Sequence, residues 1–150
     1  MISIVFRNST SGKKYSSKFF KKILETAIRK LKLNKNFSVS VNLVGEKKIK
    51  ELNKKYRNKN KPTDVLSFPI NDHVVGSRQS SVVSCDLGDI FICLSIAKKE
   101  TKRENVSIKR KLAQLVVHGF LHLLGCDHEK SKKEAESMFK LEEKILKTTD

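Results

Sequence analysis

Apolar and polar residues alternate along the chain with two periods, and the switches between them outline its elements. Residues 2–6 are β-branched and aromatic and predict a first strand, closed by the polar, turn-forming run 8–12. Ser16 or Ser17 can cap a helix in which Phe20, Ile23, Leu24, Ala27, Ile28 and Leu31 recur at helical spacing, with lysines on the outer face. Phe37, Val39, Val41 and Leu43 alternate with Ser38, Ser40 and Asn42, the pattern of a strand with one buried face, and Gly45 ends it. A short helix follows over 46–56 through Ile49, Leu52 and Tyr56, and then the basic run RNKNK at 57–61.

Residues 65–68 predict a short strand, and Pro69, which has no N–H, places its end at a sheet edge or exit. Residues 71–86 carry no sustained apolar period and are expected to form a flap or loop. LGDIFICL at 87–94 is nearly continuous in apolar residues, as in a strand covered on both faces. Ser95 can cap a short helix ending in KKETKREN, and residues 108–124 are apolar almost all round past Lys111, predicting a central buried helix. Ser131 and Glu134 form a capping box for a last helix whose inner face holds Ala135, Met138, Leu141, Ile145 and Leu146. The expected fold is a single α+β domain over 1–150, with about four strands in a mixed sheet and four to five helices.

Composition narrows the partners. With 32 Lys and Arg against 16 acidic residues, the formal charge is +16, spread as lysine along the whole chain. A field of that sign concentrates polyanions. Nucleic acid comes first, an anionic membrane surface second, and a solvated lysine-rich face is the plain alternative. Cys85, Cys93 and Cys126 are odd in number and form no C-x-x-C pair, which argues against a disulfide framework or zinc ribbon. No leader pattern opens the chain and no apolar run approaches the ~18 residues of a membrane span. A cytoplasmic protein without a membrane partner is expected.

HGFLHLLGCDH, residues 118–128, holds three of the four histidines. His118 and His122 stand four apart on the predicted central helix, so their imidazoles can aim at one point. Gly125 is placed to end that helix in a left-handed conformation, and the returning chain can bring in His128. Three imidazoles around one zinc leave a fourth tetrahedral position open, which is a catalytic form of site; nickel, cobalt or copper would also be accepted. The alternative, buried histidines satisfied by hydrogen bonds, suits a lone histidine better than this constellation. Spacing and glycine match the metzincin pattern H-E-x-x-H-x-x-G-x-x-H, except that Gly119 stands where those proteases hold their general base. A zinc protease would then need a carboxylate from elsewhere, such as Asp64 or Asp89. Phosphodiester hydrolysis assisted by a Lewis acid needs no such glutamate.

HGFLHLLGCDH, with NKKYRNKNKPTDVLSFP and LGDIFI upstream in the same order, resembles the YbeY family of ribosomal RNA maturation factors, metal-dependent single-strand-specific endoribonucleases. The resemblance covers most of residues 40–146. It implies that His118, His122 and His128 are zinc ligands, with His118 also catalytic, and that Arg57 is a functional arginine facing the metal cleft. A guanidinium there can hold a phosphate bidentately. The implied role is processing of ribosomal RNA at the 16S 3′ end during late ribosome maturation, with single-stranded RNA and the small ribosomal subunit as partners. A non-enzymatic, metal-stabilised RNA- or ribosome-binding factor is the rival from another class. Asp127 fits either support of a ligand or a turn. Asp89 fits either support of the site or a strand-end hydrogen bond. Cys126 reads as a small space-filling neighbour and His73 as a solvated loop residue.

Overall fold

The computed structural model describes residues 2–12, 14–70, 84–125 and 132–147. Strand β1 (Ile2–Asn8) leads through helix α1 (Ser17–Lys30) to β2 (Asn36–Val44), followed by α2 (Glu46–Arg57), β3 (Val65–Pro69) and β4 (Ser84–Cys93). Helices α3 (Leu94–Glu104), α4 (Ile108–Leu123) and α5 (Lys132–Leu146) complete the order. The sheet runs β1-β2-β4-β3, with β1 and β4 parallel to β2 and β3 antiparallel to β4. Parallel neighbours need a crossover rather than a hairpin, and α1 supplies the one between β1 and β2. Among the described residues, a mixed four-stranded sheet with five helices agrees with the α+β expectation. No helix among the described residues is long and apolar enough to cross a membrane.

The alternation in β2 points Phe37, Val39, Val41 and Leu43 into the main core, where they meet Ile90 and Ile92 of β4. Against them α1 lays Phe20, Ile23, Leu24, Ala27 and Ile28, and α4 lays Leu112, Val116, Val117 and Phe120. Helix α1 starts where its hydroxyl cap allows, Ser16 accepting from the Phe19 N–H. A smaller cluster of Val44, Ile49, Leu66 and Cys93 packs α2 on the opposite side of the sheet.

Three local expectations change. Residues 84–86 belong to β4 rather than to a loop, because a bulge interrupts the alternation: Ser38 pairs with Asp86 but Val39 with Gly88, leaving Leu87 as the extra residue. Gly88 sits at φ +124, and a Cβ there would stand 2.2 Å from the Phe68 carbonyl oxygen, so only glycine fits. Ser95 does not cap α3. The helix begins at Leu94, and the Ser95 hydroxyl instead donates to Glu46 of α2 at 3.1 Å. Lys111, at the edge of the apolar run, is itself buried, its charge met by Glu104 at 2.7 Å and Glu100 at 3.6 Å.

The edge position implied by Pro69 holds. The Ile70 N–H bonds Leu87 and the Asp64 carbonyl bonds Cys93, so even-numbered backbone groups of β3 face β4. Odd-numbered ones, Pro69 and Ser67 among them, face the open edge. The missing N–H of Pro69 therefore costs no ladder bond.

Candidate active site

Helix α4 begins at a Ser107 cap and runs to Leu123, with Gly125 at φ +98 beyond it. His118 and His122 project from the same face, their rings edge to face with centroids 4.6 Å apart. Their Nε2 atoms are 3.1 Å apart, within N–H···N hydrogen-bond reach. Two nitrogens each ~2.05 Å from one tetrahedral zinc would lie roughly 3.3 Å apart. The donor chemistry and the spacing of this pair thus fit a divalent ion. The third expected ligand, His128, lies outside the described residues, as do Asp127, Cys126 and His73. Among the described residues no group of three or more His, Cys, Asp or Glu forms a metal cage.

Glu142, which the sequence reading missed, completes the pair from α5. Its side chain is only 8% exposed and its Oε1 lies in hydrogen-bond contact with His118 Nδ1. A carboxylate only accepts, so Nδ1 carries the proton and Nε2 keeps its lone pair for the shared point. The signal was present: Glu142 stands four residues after Met138 and three before Ile145, an acid on the apolar stripe of its helix.

Gly119 acquires a second reason. A Cβ at this position would come 2.8 Å from Ile90 Cγ2 and 2.9 Å from Ser67 Oγ. The helix lies so close to the sheet that the Ser67 hydroxyl donates to the Gly119 carbonyl at 3.1 Å. Any side chain at the protease base position would therefore be driven into β3 and β4, not toward the histidines.

Arg57 ends α2 and crosses to β3, where its Nη2 donates to the Ser67 carbonyl at 3.1 Å on the open edge. Ser67 thus links the guanidinium, through its carbonyl, to α4, through its hydroxyl. The basic run after Arg57 is pinned as well: buried Asn53 donates to the Lys61 carbonyl at 2.8 Å, and its own carbonyl accepts from the Lys59 N–H at 3.2 Å.

The two carboxylates considered as protease bases sit elsewhere. Asp89 follows Gly88 on the side of the sheet away from Ile90 and α4, and accepts from the Ser40 hydroxyl. Asp64 lies against Glu100. Burial, then the Asp64 charge, pushes the Glu100 carboxyl above the usual carboxylate range, with Lys111 pulling the other way. Lys111 is seven residues from His118, about 10 Å along the helix.

Comparison with known proteins gives a consistent picture. The family model described as Endoribonuclease YbeY matches residues 4–150. An Endoribonuclease YbeY of Sulfurihydrogenibium sp. is 39% identical over 143 residues, covering 95% of this chain and 90% of that one. One from Persephonella marina is 37% identical over 146 residues, covering 97% and 92%, and one from Oenococcus oeni 42% over 134 residues, covering 87% and 84%. A solution structure from Thermotoga maritima is similar at 31% identity with a TM-score of 0.63, covering 98% of this chain and 89% of that one.

Proposed function

Because the chain belongs to the YbeY endoribonuclease family, we propose that it hydrolyses single-stranded RNA in ribosomal RNA processing at the 16S 3′ end, on the small ribosomal subunit. His118, His122 and His128 hold one zinc ion in this reading. The observation that carries it is the His118–His122 pair, Nε2 to Nε2 at 3.1 Å, with the Glu142 carboxylate behind His118. A zinc ion there supplies Lewis acidity toward a phosphoryl oxygen.

The chain's own groups do the rest. Glu142 keeps the His118 proton on Nδ1 and fixes the ring. Arg57 presents a planar fork of N–H donors, of which the Ser67 carbonyl uses one, and a phosphate can take a matched pair from such a fork. The lysine field holds the backbone on either side, with an affinity that falls as salt rises. A peptidase gains no support, since Gly119 offers no base and Asp89 stands on the other side of the sheet.

Arg57→Ala tests this reading. Cleavage of a single-stranded ribosomal RNA fragment should fall about 100-fold, the scale of losing one donor to a developing negative charge. Zinc content should be unchanged, and Arg57→Lys should restore little. Undiminished cleavage by Arg57→Ala would contradict it and favour a non-enzymatic binding factor.

A further inference from the structure

A strip of three aromatic rings runs out from the sheet beside Arg57, on the side away from the histidines. Phe91 and Phe68 are diagonal neighbours across β4 and β3, their rings 5.7 Å apart and near perpendicular. Phe68 in turn supports Tyr56, the last ring, at 5.1 Å. The two phenylalanines are partly buried, whereas Tyr56 is 56% exposed. Its position is nonetheless held: the ring rests on Phe68, and its neighbour Arg57 is bonded to Ser67, the residue before Phe68. Lys55 is exposed and its Nζ lies over the ring, 5.1 Å from the centroid, a cation that an incoming base displaces onto its own phosphate.

From these observations we propose that Tyr56, backed by Phe68 and Phe91, is a stacking platform for an unpaired base of single-stranded RNA, with Arg57 and Lys55 taking the adjoining phosphates. The inference rests on the endoribonuclease reading and adds a subsite to it. Charge decides for RNA over a protein partner: residues 52–61 hold five cations and no carboxylate, a surface suited to a polyanion. An exposed ring amid cations is the combination that binds single strands without duplex, since a base offers a π-face only when unpaired. Arg57 sits at the sheet edge, between the histidine side and the aromatic side. Tyr56 rests on Phe68 and Arg57 is bonded to Ser67, consecutive residues of β3, so adjacent nucleotides can place a base on the ring and a phosphate on the guanidinium.

The chain has no tryptophan and two tyrosines, so Tyr15→Phe leaves Tyr56 as the fluorophore. Titration of that protein with a 12-nucleotide oligouridylate should quench its emission. Inorganic polyphosphate, a polyanion without bases, should bind without quenching. By mobility shift of end-labelled oligouridylate, Tyr56→Ala should weaken binding about five- to a hundredfold, as for loss of one base stack, with the slope of affinity against salt unchanged because no phosphate contact is lost. Tyr56→Phe should bind within about twofold of wild type, as stacking needs only the ring. Unaltered binding by Tyr56→Ala, or equal quenching by polyphosphate, overturns the platform while the endoribonuclease reading stands, and gives the strip to a protein partner. Wild-type protein that binds no oligouridylate overturns both.

Discussion

Gly119→Ala adds a single methyl group at the closest approach of α4 to the sheet. That carbon would arrive 2.8 Å from Ile90 Cγ2, 2.9 Å from Ser67 Oγ and 3.3 Å from Ile90 Cγ1. Ile90 is fully buried, so it can give way only by disturbing the core. Overpacking of this kind costs about 1–3 kcal/mol. Alanine returns about 0.8–1.0 kcal/mol of helix propensity over glycine, leaving a net loss of roughly 1 kcal/mol. The loss reaches about 2 kcal/mol where the displaced helix also gives up the Ser67 hydroxyl bond. Urea unfolding followed by far-ultraviolet circular dichroism measures it, and the slope should be unchanged if the denatured state is unaffected. In a Ser67→Ala background the hydroxyl obstruction is gone, so Gly119→Ala should cost less, a coupling of about 0.5 kcal/mol or more. If Gly119→Ala instead stabilises the protein by the propensity gain, close packing is not why glycine stands there.

Two further outcomes follow from one buried and one half-buried carboxyl. Glu142→Ala should lower zinc affinity about 10- to 100-fold in a chelator competition, because His118 loses the group that fixes its tautomer; unchanged affinity would detach Glu142 from the site. Glu100 has a carboxyl raised above its usual value, so its contribution to stability is fully present below the ordinary carboxylate pKa and is lost as pH rises through the raised value. At neutral pH Glu100→Gln should therefore raise the thermal midpoint, and the difference from wild type should shrink toward pH 4. Lys111 keeps Glu104 at 2.7 Å in the variant. A lower midpoint at neutral pH would show that the Lys111 attraction outweighs burial.

Elements whose faces are set by nearby residues were legible in the sequence. The stripe of α1, the alternation of β2, the edge position of Pro69 and the positive φ of Gly125 all follow from local patterns. What escaped depends on distant partners. The start of β4 was hidden because the bulge at Leu87 breaks the period of two, and the Cβ-excluding contact at Gly88 comes from Phe68, twenty residues away in sequence. The same holds at the site. His118 and His122 announce each other by spacing, but Glu142 reaches His118 from another helix: its place on the apolar stripe marks it as buried, and only the docking of α5 shows which group it meets. Gly119 was read as a missing base. The structure adds that Ile90 and Ser67 occupy the volume a side chain would need.

If the α4 histidines hold the metal on which RNA cleavage depends, metal and activity must be lost together. Zinc content and single-stranded RNA cleavage can be measured side by side on wild type and on His122→Ala. The wild type should carry one zinc per chain and cleave, and His122→Ala should lose both with its fold intact by circular dichroism. A His122→Ala protein that has lost its zinc but cleaves single-stranded RNA at the wild-type rate would contradict that dependence.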